Sequence, residues 1–322
     1  MPDRKTDRHP VGHRPPIYEL YGLKVRSEIE LNAPVRAGTR ADLVVSWGDS
    51  VTVPDDPPAG RVVARLPLSH SGYTYVETED GYTLRFHATC EFRLARDGRA
   101  LSVHLAPGAN RDVVPLLLTG NVLAFLLTLR GECVLHASAV EVGDVALAFV
   151  GGPNMGKSTL AAFLCASGAT LLTDDVLRLE PEAQRPRCFR GGFEVRLRPG
   201  AAALAEEFPA AACTRTVDDR VALRIESDST SRPPLHAIVI PLPARDAKAL
   251  RLERLPPTEA LYNLIRYPRV LGLQATELVR SQFQALARVA QTVPVYRATI
   301  PWGPPFDRGL ASALRDGVGL PR

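Results

Sequence analysis

The sequence predicts an α/β domain preceded by a β-rich region, and three observations carry that expectation. Residues 17–105 fall into short runs of β-branched and aromatic residues separated by turn signals such as GDS, EDG and RDG. From about residue 112 the rhythm changes, and strand-like runs alternate with helical ones. Within that second part, GGPNMGKSTL (Gly151–Leu160) sits between an apolar run, VALAFV, and a helical segment, as a phosphate-binding loop requires. The expected organisation is a tail over residues 1–16, a β-rich accessory domain over 17–111 and an α/β domain carrying this P-loop over 112–322.

The elements follow in order. Residues 1–16 are polar and rich in Pro and Arg, and read as a disordered tail, not a signal peptide. YELYGLKVRSEIEL, ADLVVSWG, GYTYVET, YTLRFHA, CEFRLA and LSVHLA read as strands, with a hairpin at Asp80-Gly81. Val113–Leu129 carries no charge, but it is short for a membrane span and is interrupted by Pro115, Gly120 and Asn121. It predicts a helix buried in a domain. CVLHASAVEV and VALAFVGG read as strands joined at Gly143-Asp144. STLAAFLCASG reads as a helix stopped at Gly168, and ATLLTDDVLRLE as a strand running into acidic residues. Strands at about 192–198, 221–226 and 235–242, helices at about 257–266 and 275–291, and a last strand VPVYRATI complete the pattern.

Composition narrows the function. The 322 residues can form one large domain or two ordinary ones, and 45% hydrophobic with 23% charged residues is ordinary globular composition. A net charge of +4, with no dense basic run, argues against nucleic acid as partner. The five scattered cysteines lack CxxC spacing. They fit reduced thiols in a cytoplasmic protein and argue against a zinc site.

Gly151, Gly156, Lys157 and Ser158 match G-x-x-x-x-G-K-[ST]. The glycines let the backbone turn its N–H groups inward, and the following helix adds its positive end. Lys157 brings charge to the terminal phosphates and the Ser158 hydroxyl can ligate Mg²⁺. Asn154 stands where such loops often carry glycine, and asparagine tolerates left-handed backbone. The loop as a whole, Gly151, Gly152, Pro153, Asn154, Met155, Gly156, Lys157, Ser158 and Thr159, is the expected nucleotide site. Asp174 and Asp175 follow the next apolar run, where a carboxylate can hold Mg²⁺ beside the phosphates. One can serve metal and the other can act as base, or one can simply cap the turn. His136, on the strand before the loop, is of a kind more often packed than catalytic.

These residues together resemble the catalytic domain of HPr kinase/phosphorylase. The shared order is a Leu-His strand (LHASAVEV), a hairpin, the GGPNMGKST loop, a helix and an Asp-Asp strand (LLTDDVLRLE). The sequence is closer still to HPr-kinase-like proteins encoded with modified-peptide pathways, some of which phosphorylate a serine of a lasso-peptide precursor. Tyr18–Leu31 and Val293–Pro301 resemble their N-terminal signature and their tail. The resemblance implies a P-loop kinase domain of the HPr kinase/PEP carboxykinase type and a Ser/Thr kinase activity using ATP and Mg²⁺. It implies that Gly151, Gly156, Lys157, Ser158 and Thr159 bind phosphates and metal. It also implies that Asp174 and Asp175 supply metal contact and base, and that His136 lies near the transferring phosphate. It places Glu194, Arg196 and Arg198, in GGFEVRLRPG, near the acceptor. The bifunctional enzyme's second signature is not visible after residue 200, so HPr itself and the reverse reaction are not implied.

Three alternatives stand beside a peptide kinase. A hydrolysing switch or motor would carry NKxD or LSGGQ motifs, which are missing here. A non-catalytic nucleotide sensor could use the β-rich half to hold a peptide. A small-molecule kinase would need only a different acceptor pocket. The acceptor, the oligomeric state, and any arginine donated within a homo-oligomer are left open by the sequence.

Overall fold

Alternating apolar residues in the first third build a nine-stranded sheet with one face on a core. This is a computed structural model describing residues 14–67, 72–180, 185–216, 220–225, 230–307 and 309–320. Most of the expected tail, residues 1–13, lies outside the described residues. The strand order is Val35–Arg36, Ile17–Leu20, Leu23–Ser27, Leu43–Trp47, Ala100–Leu105, Cys90–Ala95, Gly81–Phe86, Tyr73–Glu77, Arg61–Leu66. Leu43–Trp47 runs parallel to both its neighbours, and all other pairs are antiparallel. The two edge strands were not anticipated. One of them is covered, because Arg65 N–H donates to Gly272 and Gln274 N–H donates to Val63.

The apolar segment after the sheet is helical but not regular. Val113–Leu117 and Leu123–Leu129 are α-helical, and the turn between them, Leu118–Val122, is of the wider π type. It carries Gly120 and Asn121, and such widened turns often mark functional sites. Leu118, Leu123, Phe125 and Leu126 are buried in the same core as the sheet. Phe125 meets Tyr75 and Tyr82 edge-on at 5.1 and 5.6 Å. A fully buried aromatic such as Phe125 contributes about 1.5–3 kcal/mol by removal from water. The core continues to Val134, Val176, Phe193 and Val270. Among the described residues, no helix is long and apolar enough to cross a membrane.

The second part is organised by a six-stranded mixed sheet. Its order is Thr170–Thr173, Ala137–Val142, Val145–Val150, Leu235–Ala244, Val295–Pro301, Arg251–Arg254. The third, fourth and fifth strands run parallel. Val145–Val150 is buried on both faces. Leu147 and Phe149 join the core beneath the Lys157–Ala166 helix, whereas Ala146, Ala148 and Val150 join the core beneath helices Pro257–Ile265 and Thr276–Thr292. This is the uninterrupted apolar run expected of a strand covered by helices on both sides. A 3₁₀ segment, Pro199–Glu207, and a last helix, Leu310–Gly317, were not anticipated.

Two long strands expected from the sequence are each two strands. CVLHASAVEV divides at His136 into Cys133–Leu135 and Ala137–Val142. ATLLTDDVLRLE divides at Asp174–Val176 into Thr170–Thr173 and Leu177–Glu180. The two pieces of one segment pair antiparallel with the two pieces of the other. The pair therefore crosses together from the six-stranded sheet into a small sheet that also contains Arg187–Cys188. The seam of that crossing brings His136 opposite the two aspartates.

Candidate active site

The glycine-rich loop leaves the end of the Val145–Val150 strand and enters the helix at Lys157. Asn154 (φ 67°) and Gly156 (φ 83°) are both left-handed, so asparagine does take the backbone that glycine often supplies in such loops. Pro153 and Asn154 are exposed at the tip, while Gly152, Ser158 and Thr159 are half-buried. Met155 folds back over the loop, and its Sδ accepts the Gly152 N–H at 2.9 Å. Lys157 is only 7% exposed, and its Nζ donates to the Gly152 carbonyl at 3.1 Å. Burial lowers the pKa of the ammonium, with Asp174 and Asp175 opposing the shift.

The aspartates leave their strand in a way the sequence did not show. Consecutive residues of a strand face opposite ways. Asp175, however, is left-handed (φ 74°), so the chain turns and both carboxyls line one cleft. Asp174 Oδ1 accepts from Ser158 Oγ at 2.9 Å and from Ser138 Oγ at 2.5 Å. Burial pushes its pKa up, and Asp175 adds to this, while the two serine hydrogen bonds oppose the rise. Asp175 Oδ1 lies 3.0 Å from His136 Nδ1, and its Oδ2 accepts from Arg269 Nη2 at 2.7 Å. Burial would raise this carboxyl too, but Arg269 and the hydrogen bond from His136 more than offset it and hold it well below the ordinary carboxylate range. His136 Nδ1 also lies 3.1 Å from the Asp175 carbonyl oxygen. Both neighbours are acceptors, so Nδ1 is the nitrogen that carries the proton.

Arg269 is the residue that sequence reasoning missed. It sits in YPRV with no local signal. The adjacent Pro268 bridges to Leu135, next to His136, and this brings Arg269 to the same carboxylate. Its Nη2 also reaches Asn121 Oδ1 at 3.3 Å, which ties the π turn to the aspartates. Gly120 leaves the room, because a Cβ there would lie 2.8 Å from Arg269 Nη2. Ser138, also missed, did leave a signal: it is a lone hydroxyl two residues after His136 in an otherwise apolar run.

The cleft beyond the aspartates has a volume of about 240 Å³. Ser158, Asp174, Asp175, Glu194 and Arg196 line it. Glu194 and Arg196 alternate with buried Val195 on strand Glu194–Leu197 and pair with each other at 3.2 Å. Arg198 lies past the end of this strand, exposed and outside the cleft lining. Among the described residues, no three His, Cys, Asp or Glu side chains group to hold a metal by themselves. A Mg²⁺ bound through phosphates needs only one or two carboxylates, and Ser158 with Asp174 offers that donor set.

No protein-family model and no curated protein matches this chain. Among solved structures, it is similar to that of the Hpr(Ser) kinase/phosphatase from Coxiella burnetii, at 13% identity and a TM-score of 0.28. The match covers 58% of this chain and 93% of the other. At that TM-score the likeness carries no residue correspondence.

Proposed function

We propose that this protein is an ATP- and Mg²⁺-dependent kinase that phosphorylates a Ser or Thr hydroxyl of a peptide or protein. The observation that supports this best is the hydrogen bond from Ser158 to Asp174. It joins the glycine-rich loop to a carboxylate pair at the floor of an open cleft.

The residues divide the work. The loop backbone and Lys157 would hold the nucleotide phosphates, and Lys157 would exchange its Gly152 partner for them. Ser158 and Asp174 would hold Mg²⁺, which supplies charge neutralisation between the phosphates when bound. Asp175 faces the cleft with 49% of its side chain open, ionised between Arg269 and His136. It would orient the acceptor hydroxyl and take its proton as the oxygen displaces ADP from the γ-phosphorus. A carboxylate held this low is a weak base. Phosphoryl transfer has a loose transition state, in which placing the hydroxyl matters more than early proton removal. His136 is then a positioning residue, fixing Asp175 by its Nδ1 proton.

The test is mass spectrometry of Ser- and Thr-containing peptides incubated with the protein, ATP and Mg²⁺. Phosphorylated product is expected from wild type and not from Lys157→Ala or Asp175→Asn. If ATP binds and no hydroxyl acceptor gains phosphate, the kinase assignment fails.

A further inference from the structure

We infer that the acceptor site is composite: the first hairpin of the nine-stranded sheet and the π-turn helix form the wall facing the aspartates, and the pocket takes one hydroxyl-bearing side chain of an extended peptide. The inference rests on the kinase assignment and names its substrate class.

The hairpin is built into the site. Its turn residue Tyr21 is buried and left-handed (φ 54°). Tyr21 N–H donates to the Arg190 carbonyl at 2.6 Å, and its own carbonyl accepts from Arg178 Nη1 at 2.6 Å. The Tyr21 hydroxyl donates to the Thr119 carbonyl at 3.2 Å, so hairpin and helix close one continuous wall. Gly191 accommodates the ring, since a Cβ there would lie 1.9 Å from Tyr21 Cε1. Farther along the same region, Asn32 Nδ2 donates to Glu194 Oε2 at 2.9 Å, and both residues line the cleft. The β-rich region is therefore part of the wall that meets the acceptor.

Size and lining select the ligand. Pockets that engulf a small molecule usually measure about 300–1,000 Å³. This cleft, at about 240 Å³ and open to solvent, is smaller. It suits one side chain and its backbone, with the rest of a chain lying outside. Leu116 is the one exposed side chain of the otherwise covered Val113–Leu129 stretch, at 37%, and it lines the cleft. An apolar surface at that point fits the residue next to the phosphorylated one.

The experiment compares wild type, Leu116→Arg and Asn32→Ala, with a capped Ser-containing pentapeptide and free serine as acceptors. For Leu116→Arg the peptide KM is expected to rise by about tenfold or more, with ATP affinity unchanged. Asn32→Ala, which removes no apolar surface, is expected to raise the KM less. Free serine is expected to be a far poorer acceptor than the peptide. An unchanged peptide KM in Leu116→Arg, or free serine accepted as well as the peptide, overturns the inference while leaving the kinase assignment intact. Absence of transfer from wild type to any hydroxyl instead removes the kinase assignment itself. Circular dichroism of Leu116→Arg separates loss of fold from loss of acceptor, and Asn32→Ala provides the second arm.

Discussion

Asp175 and Arg269 form an asymmetric ion pair, and the asymmetry can be measured. The Arg269 side chain is 10% exposed, whereas that of Asp175 is 49% exposed. Removing one partner of a buried pair costs about 3–5 kcal/mol, because the other charge is left uncompensated. Asp175→Ala leaves the guanidinium with Asn121 alone at 3.3 Å, and the Arg269 Nε already has no hydrogen-bond partner. Discounting for the half-open carboxylate gives a loss of about 2–3 kcal/mol. Arg269→Met leaves a carboxylate that keeps His136 and faces the cleft, where water can reach it. Its loss should be about 1 kcal/mol. Urea titration at pH 7 reads both. The cost of Arg269→Met also has a pH signature. The native-state carboxyl is held low, so the pair's stabilisation is full above the ordinary aspartate value of about 3.9 and fades as pH falls through the lowered one. The gap between wild type and Arg269→Met should therefore close in acid. Activity should follow the same order: Asp175→Ala should lose about 10²-fold or more in transfer, and Arg269→Met about tenfold. An Arg269→Met variant that unfolds more readily than Asp175→Ala, or that keeps the wild-type rate, refutes this account.

Other perturbations probe the same geometry. Asp174→Asn keeps the Oδ1 that accepts from both Ser138 and Ser158 and removes a charge disfavoured by burial. It should stabilise the fold by about 1 kcal/mol at pH 7, with the gain vanishing below about pH 4, and should abolish Mg²⁺-dependent transfer. Gly120→Ala would place a Cβ 2.8 Å from Arg269 Nη2 and 3.4 Å from Asp175 Oδ2. The far end of a long side chain can move, so the melting midpoint should barely change while the rate falls about tenfold. Gly191→Ala should cost about 1–3 kcal/mol, because the Tyr21 ring must be displaced. A variant with native stability and native peptide KM would show that the hairpin is not held there.

The sequence by itself determined the local chemistry. The loop from Gly151 to Ser158, the left-handed tolerance of Asn154, and the helix that follows are set by residue types within ten positions of one another. The apolar runs of the sheets, and the exclusion of a long membrane helix by Pro115, Gly120 and Asn121, were legible for the same reason. Tertiary structure decided what depends on residues far apart in the chain. Both long strands bend at the seam between two sheets because their partners bend with them, and no periodicity in LHASAVEV or LLTDDVLRLE marks that corner. The left-handed turn at Asp175, which brings two consecutive carboxyls to one cleft, belongs to the same corner. Arg269 reaches Asp175 across 94 residues, and the Tyr21 hydroxyl reaches Thr119 across 98. Their roles come from packing, since only folding brings a guanidinium and a carboxylate so far apart in the chain to hydrogen-bond distance, with the guanidinium largely shielded from water.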